Sequence, residues 1–302
     1  MLYDCLIIGA GPAGLSAAVY MGRFLRKTLV IDCEEGRSSF EQKIDNYLGF
    51  PQGVKVNQLR TLGIAQAKRF GAEFVLTEVE SIAATESGNK FRVTTEEGIY
   101  TGRSVILCTG VSDIWPNIPD VLKYVGRGLH WCIACDGYQA YKKKVLLFGR
   151  SEEAAARALQ FIAFTNEITF LTSPGRLDCS VEKVEELEAH GIRMIEGTPD
   201  HVDGDPDNVK AIVLKDGRVI PTNIMFSLLG CVPKNTMAHD LGVKCNSEGY
   251  VIVEQDSTTS VKGVYAAGDV TNRHSHQVVS AAHEGAEAAQ ACNYYLFSGL
   301  FE

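Results

Sequence analysis

Six residues near the start of the chain constrain its fold more than any other feature. Gly9-Ala10-Gly11-Pro12-Ala13-Gly14 follow the apolar run of residues 2–8 and precede a helix-like stretch to about Phe24. A second apolar run, Thr28 to Asp32, comes next. Strand, glycine turn, helix, strand is the βαβ order of a parallel, doubly wound sheet. In that context G-x-G-x-x-G is a dinucleotide-binding turn. Gly9 allows the tight turn, Gly11 lets backbone approach a pyrophosphate, and Gly14 permits close helix–strand packing. The phosphates belong beside Pro12 and Ala13, at a helix N-terminus where N–H groups and the dipole favour anions. Asp32 ends the second strand at about the spacing for an acid that binds the adenosine ribose, and Glu34 is its rival. The turn by itself accepts NAD or FAD.

A chain of 302 residues suits two medium domains. Helix is expected over 56–70, and strands over 74–79, 91–95, 98–102 and 105–107. The pattern loosens around 112–119, where a linker is placed. A second βαβ pattern follows: strand 144–148, helix 151–163, strand 167–171 and helix 181–190. Strand-like runs recur at 193–195, 209–214, 219–228 and 250–253, and a long helix begins near Ser280. The expected fold is α/β, with two Rossmann-like domains of the three-layer ββα, FAD/NAD(P)-binding type, the second inserted in the first.

The net charge of −8 argues against a nucleic-acid or membrane-surface partner, since both need clustered positive charge. No apolar run approaches a membrane span and no basic leader opens the chain, so a cytoplasmic location is expected. Nine cysteines are many for a reducing compartment. Only Cys132 and Cys135 form a C-x-x-C, with no second pair to complete a zinc site. No metal is therefore expected.

Cys132-Ile133-Ala134-Cys135-Asp136-Gly137 is the most informative run for chemistry. Two intervening residues on a turn or helix start let the thiols close a small disulfide ring. A helix N-terminus lowers one thiol pKa and supplies the thiolate. Asp136, beside the pair, can give or take the proton that moves in thiol exchange. Near the other end of the chain, Gly268-Asp269 closes a strand ahead of a helix, as a group holding the ribityl-phosphate arm of a flavin does. The order of GxGxxG, Thr109-Gly110 and Gly268-Asp269 selects FAD over NAD.

Together these motifs resemble the low-molecular-weight thioredoxin reductase family over essentially the whole length. Gly9–Gly14, Asp45-Asn46-Tyr47-Leu48-Gly49-Phe50, Cys108-Thr109-Gly110, Cys132–Gly137, Ala267-Gly268-Asp269-Val270 and Gln277 keep that family's order and spacing. The resemblance implies an FAD domain of 1–112 plus 246–302. It implies an inserted NADPH-type domain, 113–245, carrying the C-x-x-C. It further implies a homodimer, flavin contacts from Gln42, Asn46, Asp269, Gln277 and Val278, Cys135 over the flavin, and Cys132 attacking a thioredoxin-like disulfide through a mixed disulfide.

One part of the family pattern is broken. The second glycine turn reads Gly149-Arg150-Ser151-Glu152-Glu153-Ala154, with Ser151 where backbone must approach a phosphate. Glu152 and Glu153 oppose a pyrophosphate at that helix start, by roughly 4 kcal/mol per contact at about 4 Å and an effective dielectric near ~20. The next strand leads into Leu171-Thr172-Ser173-Pro174-Gly175-Arg176, with one arginine in place of a basic clamp for a 2′-phosphate. NADPH is thus doubtful. The donor is expected to be ferredoxin or flavodoxin, with Lys142-Lys143-Lys144 as a docking patch or a solvated turn. The alternatives are a divergent NADPH site, an oxygen-using dithiol oxidase, and a redox-sensing flavin carrier. A second flavin in the vacated pocket is a further option. The tail Tyr294–Phe297 with Phe301 is a candidate dimer core or flavin-stacking surface.

Overall fold

The computed structural model describes residues 1–86 and 90–298. Phe301 lies outside them. The chain divides into two compact units, one of residues 1–40, 56–112 and 232–302, the other of residues 41–55 and 113–231.

The first unit is built on a seven-stranded sheet. Glu73–Leu76, Thr28–Asp32, Leu2–Ile8 and Gly98–Leu107 run parallel in that order, and Val264–Ala266 adds in parallel to Gly98–Leu107. Parallel strands covered on both faces read as continuous apolar runs. Cys5, Leu6, Ile7, Val30, Val105 and Ile106 accordingly have no exposed surface. Gly98–Leu107 is one strand rather than the two expected over 98–102 and 105–107. Its first half pairs antiparallel with Phe91–Thr95, its second half parallel with Leu2–Ile8. Phe91–Thr95 pairs in turn with Val79–Ala84, giving the antiparallel layer.

Helices Pro12–Arg23 and Val278–Ser298 pack on the sheet through small residues, Ala13, Ala17, Ala18, Ala281, Ala288 and Ala289. Their approach requires Gly285, where a Cβ would lie 2.0 Å from the Ala13 carbonyl oxygen. The chain rejoins this unit at Val232 rather than at 246, because Ala238, Val243 and Val251 complete its core with Leu6, Ile8 and Val264. The strand expected over 250–253 reduces to isolated bridges of Val251 with Cys245 and Thr271.

The second unit carries a five-stranded parallel sheet in the order Leu129–His130, Ile224–Ser227, Val145–Phe148, Ile168–Thr172, Arg193–Glu196. A three-stranded antiparallel sheet, Pro199–Asp205, Asn208–Leu214 and Val219–Pro221, accompanies it. The run expected over 219–228 splits at Thr222-Asn223 into strands of two different sheets, since Ile224–Ser227 is fully buried and Val219–Pro221 alternates. Residues 41–55 also belong here, not with the first unit as expected. Gln42 packs on Gly126 and bonds Asp136, and Asn46 Nδ2 donates to the Ala134 carbonyl oxygen at 3.3 Å. Among the described residues, no helix is long and apolar enough to cross a membrane.

Candidate functional site

The first glycine turn has the geometry its sequence dictates. Gly9 sits at φ +103°, where a Cβ would lie 2.4 Å from the Cys108 carbonyl oxygen. At Gly14 a Cβ would lie 1.9 Å from the Gly9 carbonyl oxygen, so both positions exclude any side chain. Gly11 differs, since nothing lies within 4 Å of its Cβ direction except Ser38 Oγ at 4.0 Å. It is the N-cap of Pro12–Arg23, no side chain caps that helix, and Pro12 opens it. An uncapped helix start with room above it is a ready anion site.

Three ion pairs, made by two arginines, flank this turn. Asp32 Oδ1 accepts the Ala10 N–H at 2.8 Å, and Oδ2 meets Arg60 at 2.7 Å. Arg60 reaches Glu34 as well, at 2.7 Å, so the two rival acids share one guanidinium. Arg37 pairs with Asp269 at 2.7 Å. Thr109 Oγ1 donates to the Lys234 carbonyl oxygen at 2.6 Å, and Gly110 takes φ +68° with nothing within 4 Å of its Cβ direction. Gly268 takes φ +80°, and its N–H donates to Glu284 Oε2 at 2.7 Å. Thr271 Oγ1 adds to the same carboxyl oxygen at 3.3 Å. Burial drives the Glu284 carboxyl above its ordinary range, and the Gly268 bond pulls partly against this. Gln277 and Val278 stand at the start of the long helix, with the Gln277 N–H on Ser280 Oγ at 3.3 Å.

In the second unit, Cys132 and Cys135 are joined as a disulfide. Cys132 is the N-cap of the single turn Ile133–Asp136, and the Cys135 N–H points at its Sγ at 3.1 Å. That N–H favours negative charge on Cys132 once the pair is reduced. Asp136 is buried behind it, held by Gln139 Nε2 at 3.0 Å on one oxygen and Gln42 Nε2 at 3.2 Å on the other. Gln42 therefore meets the acid of the redox motif. Trp115 and Trp131 meet edge to face at 5.4 Å just before the pair.

Residues 3–286 match the family described as pyridine nucleotide-disulphide oxidoreductase. The chain belongs to that family. The thioredoxin reductase of Treponema pallidum is 32% identical, over 97% of each chain. That of Aquifex aeolicus is 33% identical, over 98% of this chain and 94% of its own. The solved thioredoxin reductase of Streptococcus pyogenes superposes with a TM-score of 0.89 at 26% identity, covering 98% of this chain and 99% of its own. The protein is a thioredoxin reductase-like flavoenzyme, a flavin disulfide oxidoreductase with the two-domain α/β fold expected for it.

The family implies FAD, and the first turn fits it: an uncapped helix start, an open glycine above it, and acids with arginines on either side. The second turn of this family member does not offer the same surface. Ser151 is the N-cap of Glu152–Leu159, and its Oγ accepts the Ala154 N–H at 3.3 Å. Glu152 accepts the Ser180 N–H at 3.1 Å and faces Cys179 Sγ at 3.4 Å. Those bonds, Ser180 first, hold its carboxyl below the ordinary range, while burial and Glu152 push the Cys179 thiol up to about 11. Asp178 N–H donates to the Arg150 carbonyl oxygen at 2.6 Å, and Ser151 bridges to Asp178. The loop after Ile168–Thr172 is thus strapped across the turn.

Sequence reasoning missed Arg37, Arg60, His130, Gln139, Glu284 and Gly285. Gly285 alone carries a sequence signal, as the small residue in an alanine-rich helix that packs on another. Arg37, Arg60, His130 and Glu284 act through partners distant in the chain or through burial, which no local pattern reports, whereas Gln139 bonds Asp136, only three residues before it.

Proposed function

We propose that this flavoenzyme reduces a thioredoxin-like protein disulfide through Cys132 and Cys135, with electrons that come from ferredoxin rather than NADPH. FAD, when bound, is the store from which the disulfide receives two electrons. Gly9, Gly11, Pro12, Ala13 and Gly14 hold its pyrophosphate, Asp32 or Glu34 its ribose, and Thr109, Gly110, Gly268, Asp269, Gln277 and Val278 the remainder. Cys132, whose sulfur faces the Cys135 N–H, attacks the substrate disulfide. Cys135 resolves the mixed disulfide, and Asp136 manages the proton.

The observation that carries the donor assignment is the self-closed second turn. Its helix start is already capped by Ser151, and Glu152 is tied to Ser180. A pyrophosphate there would have to displace both and meet a carboxylate. The same closure weighs against a second flavin bound by its phosphates. Lys142 and Lys143, exposed soon after the redox pair, suit an acidic iron–sulfur donor, whereas Lys144 leans to Glu167 at 3.8 Å. Two copies associate through the first unit, where Tyr294 and Phe297 are exposed on the long helix, and the enzyme works in the cytoplasm.

An anaerobic titration of the flavin tests the assignment. NADPH is expected to leave the flavin absorbance unchanged, and reduced ferredoxin to bleach it within a turnover. Bleaching by NADPH at the turnover rate overturns the donor assignment. Oxygen uptake driven by a small dithiol, with no ferredoxin response, makes the protein a dithiol oxidase instead. Cys135→Ser abolishes turnover in either case, and its survival would point to a redox-sensing flavin carrier.

A further inference from the structure

We propose that His130 and Asp136 form a buried pair that shares one exchangeable proton and lends it to the Cys132–Cys135 couple, His130 being the positioning residue. This rests on the reading of that couple as the working disulfide. His130 ends the edge strand Leu129–His130, two residues before Cys132, and its side chain has 0% exposure against 1% for Asp136. Its Nε2 lies 2.9 Å from the Arg127 carbonyl oxygen. A carbonyl carries no proton, so Nε2 is the donor and Nδ1 is the remaining protonation site. Nδ1 has no hydrogen-bond partner among the described residues, yet it faces Asp136 Oδ2 at 3.4 Å.

The surroundings favour one shared proton. Gln139 and Gln42 each donate to one Asp136 oxygen, which supports the carboxylate. A carboxylate this deep without a compensating charge is costly. One proton between Nδ1 and Oδ2, on either atom, leaves the pair neutral and Nδ1 satisfied. Among the described residues, the hydrogen bonds and ring contacts of the pair bring no further charged side chain. The Phe226 ring centroid is 5.4 Å from that of His130, and both glutamines are neutral. The Arg127 guanidinium is engaged by Asp207 at the exposed surface, with Glu41 acting on that arginine. Cys132 and Cys135, joined as a disulfide here, are the sulfurs that the pair serves.

The exchange balances with one stored proton. In the reduced enzyme Cys132 is the thiolate, Cys135 the thiol, and the pair holds its proton. Cys132 attacks R–S–S–R′, forming Cys132–S–S–R and expelling R′–S⁻. The pair protonates the expelled sulfur, giving R′–SH. Cys135 then loses its proton to the pair and attacks Cys132 Sγ, closing the disulfide and releasing R–S⁻. Two electrons pass from the cysteines to the substrate, and the pair ends as it began.

The test compares His130→Asn, Asp136→Asn and the double variant, each as the full flavin-loaded chain. Asparagine keeps a hydrogen-bonding side chain at either position but carries no titratable proton. Each single variant is expected to lower kcat about a hundredfold with KM unchanged. Each is also expected to flatten the pH profile of Cys132 alkylation by iodoacetamide in the reduced protein. The double variant should be no slower than either single one, because the pair acts as a unit. NMR of ¹⁵N-histidine-labelled oxidised protein is expected to show the His130 Nδ1 signal move on Asp136→Asn. An unchanged Nδ1 signal, a wild-type alkylation profile in His130→Asn, or additive losses in the double variant overturns the proposal. Cys135→Ser separates the two readings. Retained turnover there sinks the disulfide assignment, while the Nδ1 response still reports on the pair.

Discussion

The two glycine turns of this protein share one plan and differ in what occupies the helix start. Gly11 and Ser151 stand at equivalent places, each the N-cap of the helix that follows its strand. Among the described residues there is space above Gly11 and no side chain caps the helix, which leaves its first N–H groups open. At the second turn the serine hydroxyl takes one N–H, and Glu152 recruits Ser180 and Cys179 to close the front. A glycine N-cap thus leaves the first helix start open, whereas a serine N-cap, Glu152 and the loop of Cys179 and Ser180 together close the second. Fold alone does not decide whether a Rossmann-like unit binds a nucleotide.

The contrast can be broken from either side. The largest effect is expected for Gly14→Ala, whose Cβ would lie 1.9 Å from the Gly9 carbonyl oxygen. Thermal denaturation should show a loss of about 1–3 kcal/mol from overpacking, together with loss of bound flavin by absorbance. Gly11→Ser transplants the second turn's cap into the first. It has room and an ordinary φ of −75°, so the fold should survive. FAD affinity measured by reconstitution of the flavin-free protein should fall about tenfold or more, equivalent to ~1.4 kcal/mol. Intact affinity would mean that the open glycine is not what the pyrophosphate uses.

Ser151→Ala sharpens the other side. Losing the cap should cost about 1 kcal/mol in urea denaturation, and NADPH should still leave the flavin oxidised because Glu152 and the strapped loop remain. Glu284→Gln is expected to give the smallest change, visible only against pH. The folded-state pKa of Glu284 is raised from an ordinary value of 4.5, with burial as the chief cause. Its contribution to stability is therefore full below that ordinary value and lost as pH rises through the folded-state value. Melting temperatures of the unmodified protein should decline through that window, and the glutamine variant should lack the decline. Parallel curves would show that the buried carboxyl titrates no differently in the folded chain.

Much of the architecture was legible because it rests on local periodicity. The βαβ order around Gly9–Gly14, the later strand Val145–Phe148 and the long C-terminal helix follow from apolar spacing and glycine placement. Boundaries failed where one segment serves two partners. Gly98–Leu107 is continuous because its halves pair with different strands, and Ile224–Ser227 departs from Val219–Pro221 because the chain changes sheets. The strand Pro199–Asp205 escaped notice since its composition, Pro-Asp-His-Val-Asp-Gly-Asp, is poor in the residues that favour strands.

What the sequence determined by itself was the chemistry on offer: a glycine turn of the dinucleotide-binding pattern, a vicinal thiol pair with an acid beside it, and a second turn that departs from that pattern at Ser151, Glu152 and Glu153. Those signals are short in range, since each depends on residues within one turn of chain. Tertiary structure alone decided which side chains surround them. It brought Gln42 and His130 to Asp136, gave Asp32 and Glu34 a common Arg60, and buried Glu284 beneath Gly268. Burial raises the pKa of the Glu284 carboxyl and pairings distant in sequence fix the partners of the others, and neither is written in the neighbouring residues.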